Sequence, residues 1–182
     1  MKDSGALHAL FLRAINVGDR RITNEELLAP LIDAGFTDVA AFQAAGNIVF
    51  RAGDATYASE ASIASLLTDA YGFDTPVFMR SEPALRSVIA RCPFTADQVA
   101  ATTGKIQVTF MASEPADQLI AHVAEVTPDE DLVAFDGREW FWLPVDGVSN
   151  SKLRVPTIER IVGPMTMRTL GTLERLLGKF AA

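Results

Sequence analysis

Basic side chains in this chain recur where the backbone must turn. Arg13, Asn16, Arg20 and Arg21 fall in one short stretch, LRAINVGDRR, around Gly18. Gly46 and Asn47 lie in a second stretch, AGNIVF, and Lys152 closes a polar loop, GVSNSK. Arg168, Thr169 and Thr172 stand near the C-terminus in TMRTLGT. As chemistry, this set reads as a site for a small anionic or phosphorylated ligand where the Arg13 loop, the Gly46 turn and the Arg168 segment are expected to meet, at the junction of two halves of the chain. A guanidinium offers a planar fork to a carboxylate or phosphate. A glycine turn aims backbone N–H groups at an anion. A final helix starting just after Arg168 and Thr169 favours negative charge at its first turn. The competing reading is structural: Arg13 pairs with a carboxylate of the fold, Asn16 and Asn47 satisfy their own turns, and Arg20 and Arg21 are solvated.

Other chemistries have thinner support. His8 and His122 lack Cys, His or Glu neighbours at ligand spacing, so no metal is expected. Neither a Walker A nor a dinucleotide fingerprint occurs, and no cofactor is called for. Cys92 lies between Arg91 and Pro93; an adjacent arginine favours a thiolate, yet a lone loop cysteine is expected to be incidental. Asp129-Glu130-Asp131 reads as a solvated acidic turn. No reaction follows from these residues, and no enzyme class is assigned.

Two alternatives belong to other classes. Phe11 and Phe50, with Arg13 and Arg51 beside them, could form an aromatic platform for single-stranded nucleic acid on a sheet. The formal net charge of -7 and the missing RNP consensus disfavour it. Trp140 and Trp142 alternate with Phe141, so one face could serve a protein-interaction module, although core packing explains the same pattern.

The elements that must position these groups can be read from periodicity and turn residues. Leu7–Ile15 is a buried strand. Thr23 with Glu26 is a capping box, Leu27, Leu28, Leu31 and Ile32 form the stripe of its helix, and Gly35 ends it. Strands over Val39–Ala44 and Ile48–Arg51 flank the Gly46 turn. A helix over about Thr56–Tyr71 ends at Gly72, and Thr75–Arg80 is a fourth strand. Ser81-Glu82-Pro83-Ala84 opens a linking helix. Cys92–Gly104 reads as irregular. The second half runs Ile106–Met111 (strand), a helix opened by a second Ser-Glu-Pro-Ala at 113–116, and a hairpin Asp131–Phe135/Glu139–Leu143 around Asp136-Gly137. A helix over Pro156–Val162, a strand over Met165–Leu170 and a closing helix over Thr172–Phe180 complete it. Each half is thus β-α-β-β-α-β. The expectation is an α+β protein of two tandem ferredoxin-like (split βαβ) halves with mixed, mainly antiparallel sheets. Residues 1–91 form one half with its linking helix and 92–182 the other, tightly packed.

Composition sets the surroundings. Hydrophobic residues make up 49% of 182, enough for a real core. A single cysteine forms no internal disulfide, which points to a reducing cytoplasm. Neither a signal peptide nor a membrane span is predicted. The chain is expected to act as a monomer or homodimer.

With those residues placed, the chain resembles an uncharacterised, mainly bacterial family, domain-of-unknown-function family 1697 (DUF1697). Its hallmark strand end of the type LLRGINVGG corresponds to Phe11-Leu12-Arg13-Ala14-Ile15-Asn16-Val17-Gly18-Asp19. Its turn of the type QSGNVVF corresponds to Ala44-Ala45-Gly46-Asn47-Ile48-Val49-Phe50, and its TTRNWNT-type segment to Thr166-Met167-Arg168-Thr169-Leu170-Gly171-Thr172. Ala14 stands for a family glycine, and the last segment keeps Arg168 and Thr172 without the family's asparagines and tryptophan. The resemblance implies a fold and a site, not a reaction.

Overall fold

A computed structural model describes residues 5–13, 15, 16, 19, 21–43, 46–52 and 59–180. The chain forms two compact units, Met1–Arg86 with Lys179–Ala182, and Ser87–Gly178.

The first unit runs β1 (Leu7–Leu12), α1 (Asn24–Asp33), β2 (Thr37–Ala41), β3 (Asn47–Arg51), α2 (Glu60–Tyr71) and β4 (Val77–Ser81), and α3 (Glu82–Ala90), which follows β4 directly, begins in the first unit and ends in the second. The second contains α4 (Ala96–Ala100), β5 (Gln107–Met111), α5 (Asp117–Val126), β6 (Leu132–Asp136), β7 (Glu139–Leu143), α6 (Val155–Val162), β8 (Met165–Thr169) and α7 (Leu170–Phe180). The two sheets have the orders β2-β3-β1-β4 and β6-β7-β5-β8. Every strand pairing described is antiparallel. This is the split-βαβ order in each half, so the protein is α+β with two similar halves.

Local chemistry sets the element ends. Thr23 and Glu26 form the reciprocal capping box: Glu26 N donates to Thr23 Oγ1 and Thr23 N donates to Glu26 Oε2. Such a cap contributes about 1 kcal/mol. Ser59 caps α2, and Gly72 ends it in the left-handed region. The start expected near Thr56 lies outside the described residues. In the first unit, Leu10, Leu12, Ile48, Phe50 and Val77 from the sheet pack with Leu27, Leu31, Ile63 and Leu67 from the helices. In the second, Met111, Trp140, Trp142 and Met165 pack with Val123 and Ile158.

Three expectations are corrected. The stretch Cys92–Gly104 is not wholly irregular: Thr95 and Gln98 form a second capping box and α4 follows it. The Ser-Glu-Pro-Ala at 113–116 does not open a helix, because α5 begins at Asp117 behind Ala116, which makes no side-chain cap. Beyond α4 the chain is pinned to the segment after β7, with Thr103 N and Gly104 N both donating to Val145 O. A Cβ on Gly104 would lie 1.7 Å from Pro144 O, so only glycine fits that approach. Lastly, Asp131 is buried rather than solvated, while Asp129 and Glu130 are exposed.

Candidate functional site

Two backbone hydrogen bonds root the Arg13 loop in the first unit. Leu12 N donates to Gly46 O at 2.7 Å, and Arg13 N donates to Pro76 O at 3.3 Å. The loop leaving β1 therefore sits between the β2–β3 turn and the residue just before β4. Gly46 has φ +76°, and a Cβ there would lie 3.0 Å from Leu12 Cβ and 3.3 Å from Leu12 O. Glycine is needed for both the turn and the room. Asn16 fastens its own loop, with Oδ1 accepting from Ile22 N at 2.9 Å. Asn47 fastens the turn: its Nδ2 donates to Phe42 O at 3.2 Å, and its side chain is buried. Arg13 is half-buried and Arg21 exposed, and neither is without a partner. Gly18 and Arg20 lie outside the described residues. Arg13, Asn16, Gly46 and Asn47 thus gather at one end of the first sheet, with Arg21 on the same loop.

The remaining candidates share one end of the second sheet. Thr169 and Trp142 both pair with Gln107, so the loop after β7, which carries Lys152, lies at the end where β8 finishes. Lys152 is exposed. Arg168 donates from Nη1 to Thr166 Oγ1 and to Met167 O, each at 2.8 Å. Burial pushes its guanidinium down to about 10, so it remains cationic at neutral pH. Thr169 caps α7: Thr172 N donates to Thr169 Oγ1 at 3.2 Å, and the two hydroxyls lie 2.8 Å apart.

The paired registers reveal which positions correspond between the halves. Ala9 faces Arg80 as Val108 faces Arg168, and Phe11 faces Asn47 as Phe110 faces Glu139. The bond from Leu12 N to Gly46 O recurs as Met111 N to Arg138 O at 2.9 Å. The scaffold is therefore repeated while its chemistry is not. Ala112 stands where the first half has Arg13, Arg138 where it has Gly46, and Glu139 where it has Asn47. Arg168 corresponds to Arg80, at the opposite end of the sheet from the Arg13 position. The true internal repeat is Met79-Arg80-Ser81 with Leu85 against Met167-Arg168-Thr169 with Leu173, not the two Ser-Glu-Pro-Ala segments.

Several polar residues that pattern reading passes over are central to the structure. Arg80 is buried, and its Nη1 meets Glu60 Oε1 at 3.2 Å, while Met79 N donates to that oxygen at 2.8 Å. Asp131 accepts from Trp142 Nε1 (3.1 Å), Val145 N (2.9 Å) and Ser151 Oγ (2.6 Å). Ser151 Oγ in turn accepts from Leu153 N at 3.0 Å. One carboxylate thereby holds Val145 and Ser151, on either side of residues 146–150. The Asp-x-Asp spacing hid it, because a run of acidic residues after a helix normally faces water.

Other candidates settle into structural places. Phe50 packs edge-on against Phe36 with centroids 4.9 Å apart, and both Phe11 and Phe50 are fully buried. Neither offers an open ring face to a base. Arg51 pairs with Asp38 at 2.8 Å. Trp140, Phe141 and Trp142 are all fully buried. Arg91 Nε donates to Asp136 and its Nη1 to Ser87 Oγ, so the charge beside Cys92 is directed elsewhere. Among the described residues no group of three His, Cys, Asp or Glu is placed to hold a metal, and no helix is long and apolar enough to cross a membrane.

A conserved bacterial protein, SP0830, from Streptococcus pneumoniae has a similar solved structure, with TM-score 0.64, 19% identity, and coverage of 95% of this chain and 97% of that one. At that identity the likeness speaks for the fold alone. The chain has no significant match among curated proteins. A family model of proteins of unknown function matches residues 6–141, which contain the Arg13 and Gly46 segments; TMRTLGT lies beyond the match. A match over that much of the sequence, on a fold repeated in both halves, means that this chain belongs to the DUF1697 family of proteins of unknown function.

Proposed function

We propose that this protein binds a small anionic or phosphorylated ligand, with the Arg13 loop and the Gly46 turn as the primary contact. The observation that carries this reading is the contrast between the halves. Where Leu12 N meets Gly46 O, the first half carries Arg13 and a glycine; where Met111 N meets Arg138 O, the second carries Ala112. The fold needs the backbone bond in both places. The cation changes place: the second half has Ala112 at the position after its first strand and Arg138 in the turn, where Arg138 Nη1 donates to Ala112 O at 3.1 Å, whereas the first half has Arg13 after β1 and the open Gly46 in the turn. A guanidinium rooted at a sheet end between two turns suits a phosphate or carboxylate. Asn16 and Arg21 supply further polar groups on the same loop, and Gly18 and Arg20 belong to the same proposed set. Lys152, Arg168, Thr169 and Thr172 offer cations and hydroxyls at one end of the second sheet. The reading places the protein in the cytoplasm as a monomer or homodimer, and assigns no reaction.

A thermal-shift series tests it. Wild type and Arg13→Ala are heated with inorganic phosphate, pyrophosphate or AMP, with sodium chloride matching ionic strength. Binding of the folded state alone raises Tm with concentration. A rise for at least one phosphate in the wild type, absent in Arg13→Ala, is the expected result. No phosphate-specific rise in the wild type removes the reading.

A further inference from the structure

The helix layer of the first unit carries a second feature, unrelated to the cationic loop. Between α1 and α2 lies an open groove with a cavity volume of about 900 Å³. A smaller hollow of about 250 Å³ continues it, sharing Ala34 and Leu66 with the first. The two hollows in a row make the groove elongated. α1 has ten residues, so it runs about 15 Å, close to three turns.

Its charge is one-sided. Glu26, Asp33 and Asp69 line the larger hollow, all three exposed, and none of its described lining residues is basic. Neither α1 nor α2 contains a Lys, Arg or His. Three of the lining residues are small, Ala29, Ala34 and Ala70, which leaves space for an incoming side chain. One wall is aromatic: Tyr71 and Phe73 stack with centroids 5.8 Å apart and planes at 26°. The Tyr71 hydroxyl donates to Leu27 O at 2.7 Å, which fixes that ring. Pro30, inside α1 and lining the groove, has no N–H, so the Glu26 carbonyl loses its helical donor. Carboxylates, a carbonyl and ring faces all suit a partner that brings cations and donors.

We propose that this groove receives a basic amphipathic helical segment of another protein. A helix of about three turns matches the length of α1, which is the helix-in-groove mode of recognition. Its small apolar face rests on Ala29, Ala34 and Ala70. Lysines or arginines on its flanks reach Glu26, Asp33 and Asp69, and one cation stacks on the Tyr71–Phe73 wall.

The test uses the full chain and a fluorescein-labelled twelve-residue peptide with alanine and leucine on one helical face and lysine on the other. A scrambled peptide of the same composition, and one with glutamate for lysine, are compared by fluorescence anisotropy. The expected result is binding of the amphipathic basic peptide alone, with a gain of helical circular dichroism. Affinity falls at least tenfold for Glu26→Gln/Asp33→Asn/Asp69→Asn and for Ala70→Arg, a substitution at an exposed position that places a cation in the groove. Equal binding of the scrambled peptide, displacement by spermine at the peptide's own concentration, or unchanged affinity in both variants overturns the proposal. Glutamine at position 26 keeps the capping geometry, so loss of binding is separable from loss of fold.

Discussion

Arg80 and Arg168 occupy the same place in the two halves: each donates Nη1 to the carbonyl of the residue before it, at 2.7 Å to Met79 O and at 2.8 Å to Met167 O. Each also precedes a hydroxyl that accepts from an N–H three residues on, Ser81 from Ala84 and Thr169 from Thr172. In the first unit, Arg80 also meets the carboxylate of Glu60, the first residue of α2.

The Glu60–Arg80 pair predicts that the first unit depends on one carboxylate. Removing one partner of a buried ion pair leaves the other charge without compensation and costs about 3–5 kcal/mol. Glu60→Gln is expected to lower the urea midpoint by an amount near the low end of that range, since Glu60 is partly exposed. The midpoint, measured against wild type by far-UV circular dichroism, checks this; an unchanged midpoint would contradict it.

Asp131 predicts a loop that depends on a single carboxylate. Asp131→Ala strips the acceptor from Trp142 Nε1, Val145 N and Ser151 Oγ at once. A loss of about 3 kcal/mol is expected, in line with breaking a buried polar network. Faster amide exchange should be confined to residues 144–153. The chain's two tryptophans, Trp140 and Trp142, both lie in the second unit's core, so tryptophan emission reports this change directly, with a red shift as water reaches Trp142.

Thr109 predicts a gain. Its Oγ1 and the Nε1 of Trp140 are buried without a hydrogen-bond partner among the described residues, and the two residues face each other across β5 and β7. An unsatisfied buried hydroxyl costs about 1–3 kcal/mol. Thr109→Val keeps the branched shape and removes that hydroxyl. A rise in stability of about 1 kcal/mol in urea is expected, and a fall would show that the hydroxyl is satisfied in solution.

Tyr71 predicts an alkaline limit. Burial pushes its phenol from 10.0 up to about 12. The folded state then holds a proton that the unfolded state releases above pH 10. Stability from this group is complete below that pH and is lost as pH rises towards 12. Tyr71→Phe should flatten the decline in Tm between pH 10 and 12, while losing the bond to Leu27 O costs about 1 kcal/mol near neutrality. Tm measured across that range in both proteins decides it.

The architecture was legible in the sequence because local rules and long-range pairing agree on it. The Thr23–Glu26 box, the left-handed Gly72 and the Asp136-Gly137 hairpin are fixed by neighbours within a few residues, and apolar periodicity marks which faces meet. The Arg13 and Gly46 segments could also be paired in advance, as the ends of the two neighbouring central strands of one split-βαβ unit. What only the tertiary structure decided was which polar groups are enclosed. Asp131 looks like any solvated acidic turn until Trp142, Val145 and Ser151 arrive from later in the chain. Glu60 and Arg80 are twenty residues apart and carry no mutual signal along the chain. The equivalence of Arg80 with Arg168 was equally hidden, since the eye is drawn to the identical Ser-Glu-Pro-Ala segments. Side-chain identity repeats by chance or by shared cap chemistry, whereas hydrogen-bond register places a residue in space, and only the folded sheet carries register.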